Sequence, residues 1–426
     1  MFALLLLSLP APPLAQEAPG GDALDAAVAA AVPRAIELRR DVHRHPELGE
    51  RETRTAALVA EHLRSLGLEV RDNVAVTGVV GVLKGGRPGG VVAYRADMDG
   101  LPVREQTGLP FASTRTDLWK GEEVGVMHAC GHDVHVAIGL ALASVLASPE
   151  VRPNLPGTVL FLFQPAEEGH PDPGSHGAKL MLEEGVFRSP RPGAIFGLHV
   201  NPALAVGQVA VNSGGTMAAV DRFRIRVHGV QTHGAYPQEG VDPIVAASHV
   251  VLALQTIASR TVDTRDEVVV SVGRIEAGNR FNIIPETAEL LGTVRTHDED
   301  VQERVHESLK RIATNTAAAL GARAEVEIER ICPVTANDPA LVEAMLPVLR
   351  GSAQVVPEKP HMGGEDFAWF AREVPGLYYF LGVSDFTKGR PAMIHTPFFS
   401  PEESAIEVGL RTSARLVWAW LESRAR

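Results

Sequence analysis

Apolar residues recur with two different periods along the first half of the chain. A near-helical spacing over residues 23–66, broken at 45–49, predicts two helices, and another helical run covers 134–146. Short continuous apolar runs are typical of buried strands, and they occupy residues 79–83, 91–94, 158–163, 194–198 and 378–382. Strands that alternate with helices predict a mostly parallel sheet with helices packed around it.

The pattern changes near Gly214, where polar and apolar residues begin to alternate. Such alternation, seen over 221–227, is typical of a sheet with one face in water. The following elements complete the order β-α-β-β-α-β, with helices at 243–257 and 301–320 and strands at 268–275, 288–295 and 324–328. We therefore predict an α/β fold: residues 22–213 and 330–426 form a main domain around a mixed, mostly parallel sheet, and residues 214–329 form an inserted ferredoxin-like α+β domain.

The N-terminal residues 1–18 combine an apolar run with a Pro/Ala segment. The run has the length of a signal-peptide core, although no Lys or Arg precedes it. We expect an exported protein, periplasmic or secreted, and a cytoplasmic one if this segment is not a signal. No later segment is expected to be long and apolar enough to span a membrane.

The composition of the 426 residues narrows the class of protein. A chain of this length usually forms more than one hydrophobic core, which agrees with two domains. With 40 Lys plus Arg against 52 Asp plus Glu, its net charge is −12. An acidic chain without a basic run argues against nucleic acid or an anionic membrane surface as a partner. Its two cysteines, Cys130 and Cys332, imply no disulfide scaffold.

The segment 127–135 concentrates chemically versatile side chains: one cysteine, three histidines and an aspartate. Cys130 and His132 flank Gly131, so a tight turn could aim a thiolate and an imidazole at one metal ion. A buried cysteine beside surface histidines explains an isolated Cys-x-His equally well. The interpretation therefore depends on ligands elsewhere in the chain.

Further polar side chains follow the predicted strands. Four successive strand ends are expected to deliver, in order, Asp97 with Asp99, Cys130 with His132, Glu167 with Glu168, and His199. Because open α/β sheets place their ligand sites at the carboxyl ends of the strands, this succession predicts a single site there.

Two adjacent glutamates at a strand end need an explanation, because like charges raise each other's pKa. A metal ion removes the problem if one carboxylate ligates it and the other faces the substrate. The free carboxylate can then take a proton from metal-bound water and pass it to a leaving amine. An isolated Glu-Glu is more often a solvated turn, but its place after a buried strand favours the functional interpretation.

The candidate donors are Cys130, His132, Glu168, His199 and His395, with Glu167 left over as the base. Five protein ligands exceed what one tetrahedral catalytic ion uses, and they suit two ions per subunit, about 3.5–4 Å apart. Mixed sulfur, nitrogen and oxygen donors fit Zn²⁺ first, with Mn²⁺, Ni²⁺ or Co²⁺ as alternatives. His-Glu-x-x-His does not occur, which excludes a single-zinc protease of that kind.

Seven motifs together resemble one enzyme family over about residues 33–420. They are Arg-Ala-Asp-Met-Asp-Gly-Leu-Pro, Met-His-Ala-Cys-Gly-His-Asp-Val-His, Gln-Pro-Ala-Glu-Glu-Gly, Gly-Leu-His, Phe-Asn-Ile-Ile-Pro-Glu, Met-Gly-Gly-Glu-Asp-Phe and Ile-His-Thr-Pro. The family is that of the dinuclear-metal amidohydrolases and metallopeptidases, which includes hippurate hydrolases, auxin-conjugate hydrolases, aminoacylases and related carboxypeptidases. The only departure noted is Met-Gly-Gly-Glu-Asp in place of the commoner Met-Gly-Ser-Glu-Asp.

The resemblance implies that the five donors hold the metals and that Glu167 is the general acid and base. It implies that Asp97 and Asp99 orient the ligands. The inserted domain would be a lid that forms a homodimer or a higher homo-oligomer. His233, in the segment 229–235, would stabilise the oxyanion in its own or the partner subunit.

The resemblance also implies that Asn282 hydrogen-bonds the substrate. Arg295 could pair with a substrate carboxylate, because a guanidinium suits carboxylate recognition, or it could be a surface charge of the lid. The expected reaction is cleavage of the amide bond of an N-acyl amino acid or short peptide by a metal-activated hydroxide.

Two other classes remain open from the sequence alone. One is a non-catalytic, exported homologue that binds a small molecule or peptide, against which the intact ligands and base argue. The other is a different hydrolytic chemistry in the same dinuclear site, such as ester hydrolysis or deamination. Turnover of N-benzoyl-glycine, N-acetyl amino acids and dipeptides would separate these classes.

Overall fold

A computed structural model describes residues 21–170 and 174–425, and the proposed signal peptide at 1–18 lies outside them. The α-helices of the described residues are Gly21–Arg44 (α1), Thr53–Ser65 (α2), His132–Ala147 (α3), Gly177–Glu183 (α4), Pro243–Leu254 (α5), Glu299–Ala319 (α6), Pro339–Ser352 (α7), Phe367–Glu373 (α8) and Ala405–Glu422 (α9). The two helices predicted over 23–66 are confirmed as α1 and α2, and the run at 134–146 as α3.

The strands of the same residues are, in chain order, Glu69–Val74 (β1), Gly78–Lys84 (β2), Arg87–Asp97 (β3), Thr116–Trp119 (β4), Glu122–Gly125 (β5), Pro156–Gln164 (β6), Ala194–Ala205 (β7), Gln208–Ala210 (β8), Gly214–Met217 (β9), Ala219–His228 (β10), Thr232–His233 (β11), Val268–Ala277 (β12), Ile283–Ile284 (β13), Thr287–Thr296 (β14), Arg323–Cys332 (β15), Thr335–Asn337 (β16), Gln354–Val356 (β17) and Gly376–Ser384 (β18). The edge strand β1 and the short hairpin β4–β5 were not predicted, because their residues are mostly exposed and carry no apolar period.

Eight strands form the central sheet in the order β1-β2-β6-β3-β7-β18-β8-β17. Its middle is parallel, since β6, β3, β7 and β18 pair parallel to one another, whereas β1, β2 and β8 join through antiparallel pairs. The predicted mixed, mostly parallel sheet is therefore confirmed. The parallel strands are nearly continuous apolar runs because both faces of the sheet are covered.

Helices cover the two faces of the central sheet. On one face, α1, α3 and α9 share a large apolar core with the sheet. Helix α3 is apolar all round, and fourteen of its residues are buried, as expected of a helix enclosed by other elements. On the other face, α4 and α8 pack over a smaller core. The polar residues of the site lie where the parallel strands end.

A second sheet of four antiparallel strands has the order β12-β14-β10-β15. Strand β10 alternates buried and exposed positions, as its sequence predicted, and Phe223, Ile225 and Val227 face inward. Helices α5 and α6 pack on that face, where Val250 and Leu309 join the same core. The four strands of this sheet and the two helices follow one another along the chain in the order β-α-β-β-α-β.

One helical stretch of the described residues, Pro243–Thr261, is long and apolar enough to cross a membrane by length and composition alone, with a mean hydropathy of 1.2. The expectation that no such segment follows the N-terminus is wrong by that criterion. The stretch packs one face on the second core through residues such as Ala246 and Leu254. Its opposite face exposes Ile244 and Leu252, and the apolar residues on both faces raise its hydropathy.

Candidate metal centre

The turn that enters helix α3 aims Cys130 and His132 at one point. Gly131 lies between them with φ +93°, a left-handed conformation that favours glycine. A Cβ atom at this position would lie 2.4 Å from Val200 Cγ2, so a side chain does not fit. The sequence prediction of a tight turn between the two donors is confirmed.

The prediction of four successive strand ends needs correction. The strand before Cys130, β5, belongs to a separate hairpin, and the donors lie on the loop and first turn of α3. His199 lies inside β7, which continues to Ala205 alongside β18. Helix α3 packs against β3 and β7, and this packing brings its N-terminus to the carboxyl edge of the sheet.

The sulfur of Cys130 lies at the centre of the donor atoms. Its Sγ is 3.3 Å from His199 Nε2 and 3.2 Å from His395 Nε2. His395 Nε2 is also 3.0 Å from Glu168 Oε1. Cys130 therefore belongs to two groups with all ligand atoms within 4.8 Å, one with His132 and His199 and one with Glu168 and His395. A thiolate shared by two groups suits a pair of ions.

The histidine rings are held so that the Nε2 atoms face the centre. His132 Nδ1 donates to the backbone oxygen of Asp99 at 2.9 Å and lies 3.1 Å from its carboxylate. His199 Nδ1 donates to the oxygen of Val200 at 2.7 Å. His132 Nε2 is fully buried and has no hydrogen-bond partner among the described residues. A buried acceptor nitrogen without a partner fits a metal ligand, so the donor set suits divalent ions.

The charges of the site favour cations. Burial lowers the pKa of His132, but the carboxylates of Asp97 and Asp99 outweigh it and raise that pKa to about 10. Burial and the neighbouring carboxylates of Glu365 and Glu168 raise the pKa of Glu167 well above its usual range. The positive side chains nearby do not balance the negative charge of these buried carboxylates, and bound divalent ions would balance it.

Asp97 is committed to neighbours inside the protein. Its carboxylate accepts from Arg95 at 2.6 Å and from His135 Nδ1 at 2.6 Å. His135 Nε2 in turn accepts from the backbone N–H of Val200 at 3.0 Å. Both ring nitrogens of His135 are therefore in use. Asp97 Oδ2 lies 3.8 Å from His132 Nε2, close enough to influence that ring.

Arg95 joins two distant parts of the chain beneath the site. Its fully buried guanidinium bonds the carboxylates of Glu365 at 2.8 Å and Asp366 at 2.9 Å as well as Asp97. Sequence reasoning missed this residue. The available signal was a charged residue inside a buried strand, which requires buried partners.

The glycine of the unusual Met-Gly-Gly-Glu-Asp segment has a structural reason. A Cβ atom on Gly364 would lie 2.2 Å from Val220 Cγ2. The serine of the commoner motif would therefore collide with Val220, which fills that space. The departure from the commoner motif is therefore matched by the packing of Val220 beside Gly364.

Two carboxylates accept hydrogen bonds from the backbone of the loop that carries Glu167. Ala166 has φ +49°, and its N–H donates to Glu52 Oε1 at 2.8 Å. The N–H of Glu168 donates to Asp99 Oδ2 at 2.9 Å. Burial, followed by the charge of Asp99, raises the pKa of Glu52 to about 8. Sequence reasoning also missed Glu52, which lies in a polar segment between α1 and α2 without a motif signal.

A cavity of about 1020 Å³ opens above these donors. Its wall includes Cys130, Glu167, Glu168, His199 and His395 on one side and Arg222, Arg295 and Arg330 of the second sheet on the other. Arg222 pairs with Glu329 and Arg330 with Glu303. Arg295 contacts the hydroxyl of Thr293 and the backbone oxygen of Val294, and burial lowers its pKa.

His233 and Asn282 lie elsewhere on the second sheet's side of the molecule. Strands β11 and β13 pair His233 with Ile283, and the N–H of Gly234 donates to the oxygen of Asn282 at 2.9 Å. Neither residue is part of the cavity wall, and the adjacent Phe281 is 98% exposed. Their roles at the site stay predictions.

Comparison with known proteins identifies the family. Peptidase family M20/M25/M40 matches residues 93–419. An N-acetylcysteine deacetylase of Bacillus subtilis is 39% identical over 92% of this chain and 97% of its own, and thermostable carboxypeptidase 1 of Saccharolobus solfataricus is 38% identical over 89% and 94%.

A solved structure of the Bacillus subtilis YXEP protein, described as a dinuclear metal-binding peptidase of the M20 family, has a TM-score of 0.79. It is 37% identical and covers 92% of this chain and 99% of its own. The resemblance noted from the motifs is confirmed. The chain belongs to peptidase family M20/M25/M40 and is a metal-dependent amidohydrolase of that family.

Proposed function

We propose that this amidohydrolase removes the acyl group from N-acyl amino acids or cleaves short peptides, with Cys130, His132, Glu168, His199 and His395 as the metal ligands. The observation that carries the proposal is the shared position of Cys130 in two donor groups at the floor of the cavity. The relatives named deacetylase and carboxypeptidase support the substrate class.

The chemistry divides between the ions and Glu167. When bound, two divalent ions would polarise the scissile carbonyl and favour ionisation of a water molecule. The carboxylate of Glu167 accepts the proton of the attacking water and donates it to the leaving amine nitrogen. Asp99 and Glu52 hold the loop that positions this carboxylate.

Glu167→Gln tests this division, because glutamine keeps the size of the side chain and cannot relay a proton. We expect kcat to fall by about 10²–10⁴-fold, with the metal content unchanged by elemental analysis. Full activity in this variant would contradict the mechanism.

Arg295 is proposed to bind the carboxylate of the substrate. It is half-buried in the cavity wall, and no carboxylate pairs with it among the described residues, unlike Arg222 and Arg330. Arg295→Met should raise KM for N-acetyl amino acids by about 10–100-fold, the loss expected for one charge-assisted contact. Amidated analogues of the same substrates, which lack the carboxylate, should lose no further activity. An unchanged KM would indicate a surface charge instead, and an equal loss for both substrate types would rule out carboxylate binding as its cause.

We propose that the second sheet with α5 and α6, predicted as the domain 214–329, is a lid through which two subunits form a homodimer. Ile244 and Leu252 on the outer face of α5 and Ile275 on the edge strand β12 are exposed and apolar. Apolar side chains grouped on an outer face support a protein interface. In such a dimer, His233 would reach a site from its exposed position.

The preferred ions are proposed to be Zn²⁺, because a thiolate, imidazoles and a carboxylate together suit zinc. Metal analysis of the purified protein would test this. Export is proposed from the apolar run in residues 1–18. Sequencing the N-terminus of protein recovered outside the cytoplasm should find it downstream of residue 18, and an intact Met1 would contradict cleavage.

A further inference from the structure

A second group of metal-binding side chains lies beside the cavity, apart from the five donors. Glu50 comes from the segment between α1 and α2, and His170 and His176 come from the connection between β6 and α4. One ligand atom from each lies within 4.8 Å of the others. Their side chains are 15%, 12% and 20% exposed, so two separate segments meet here in a largely buried contact.

The carboxylate of Glu50 lies between the two imidazoles. One of its oxygens contacts His176 Nδ1, and the other is 3.9 Å from His170 Nε2. The ring centroids of the two histidines are 5.0 Å apart. A tetrahedral zinc ion with nitrogen and oxygen ligands at about 2.0–2.2 Å holds its donors roughly 3.3–3.6 Å apart. Small side-chain rotations would bring these three donors to that spacing.

The backbone allows the two segments that carry these three side chains to lie close together. A Cβ atom on Gly49 would lie 3.0 Å from Ala166 Cβ and 3.0 Å from the oxygen of Gly169, so a glycine lets the two segments touch. Glu50 follows with φ +61°, a left-handed conformation that is unusual for a residue with a side chain. Such conformations persist where the surrounding structure enforces them, often at ligand sites.

We propose that Glu50, His170 and His176 bind a third divalent transition-metal ion, with zinc as the representative ion. Two imidazoles and a carboxylate leave coordination positions open, and His170 and His176 also line the cavity. The ion would link His170 and His176 to Glu50, which lies in the segment after α1. It is additional to the metal centre, and its existence does not depend on the substrate proposed above.

Zinc titration of the metal-free full-length protein, with bound metal counted by elemental analysis after gel filtration, tests the site. We expect three ions per chain for the wild type and two for the double variant His170→Asn/His176→Asn. Glu50→Gln should weaken the third ion at least tenfold while the other two remain. His249→Asn, an exposed histidine on α5, is the matched control and should still bind three.

A count of two in the wild type, or three in the double variant, would overturn the proposal. Footprinting of the wild type covers the case in which the double variant fails to fold. Zinc added beyond two equivalents should protect His170 and His176 from diethylpyrocarbonate, as mapped by peptide mass spectrometry, and leave His249 reactive. Equal labelling of all three with and without this zinc means that Glu50 and His176 form an ion pair only.

Discussion

The floor of the cavity and the segment around His233 and Asn282 are both assigned to the site by sequence motifs, but the structure treats them differently. On the floor, His132 is fully buried, and its ring is fixed by two contacts to Asp99. His233 is exposed, on a two-residue strand outside the cavity wall. The side chains on the floor are therefore held in place by the folded chain, whereas the second segment could act at the site only if movement or a partner subunit brought it there.

This difference separates two kinds of contribution to catalysis. Removing a floor residue should disturb metal binding and the buried charges together, since Asp97, Arg95 and Glu365 form one connected network. If the segment around His233 and Asn282 acts in catalysis, removing one of its side chains should affect turnover while metal content and stability stay the same. The following variants test that separation.

The largest effect is expected for His132→Asn, which removes a buried side chain proposed as a metal ligand. Loss of a group that merely orients a ligand typically costs about 10–100-fold in metal affinity or activity, so loss of the ligand itself should exceed this and bring activity to background. Calorimetric zinc titration would measure it. His306→Asn is the control, because His306 is also buried, in the second core, and bonds Asp221 at 2.7 Å. It should lower stability without lowering the number of ions.

A smaller loss is expected for His233→Ala. Removing one oxyanion donor lowers kcat by about 10²–10³-fold, and zinc content and melting temperature should not change. Mixing this variant with Glu167→Gln after dissociation tests its location. Recovery of about one quarter of wild-type activity indicates that His233 acts in the partner's site. No recovery in mixtures shown to contain hybrid dimers indicates action within one chain.

The smallest effect is expected for Glu52→Gln, and it concerns the pH dependence of stability. The folded-state pKa of Glu52 is raised from 4.5 to about 8. Its contribution is therefore fully present below about pH 4.5 and is lost as the pH rises towards 8. The variant resembles the protonated acid, so its melting temperature should fall less than that of the wild type between pH 5 and 8. Glu122→Gln on the exposed hairpin should behave as the wild type.

The sequence predicted the parallel sheet, the β-α-β-β-α-β order and the donors that meet at Cys130, because each leaves a local signal: an apolar run, an alternation or a short motif. It could not place His199 inside a strand, because β7 continues past it through Asn201 and Pro202, which interrupt the apolar run. Nor could it identify the partners through which Arg95 and Glu52 support the site. Their partners lie far along the chain, and only the tertiary structure brings them together.

His395 has a consequence for how the protein matures. Four of the five donors are synthesised by residue 199, but His395 follows after the whole second sheet, and its N–H must still reach the oxygen of Ala129, at 2.7 Å. Contacts between such distant residues form late in folding. A chain cut short before its last segment would carry most of the proposed ligands and still lack a complete centre. Full metal loading is therefore a sign that synthesis and folding have both been completed.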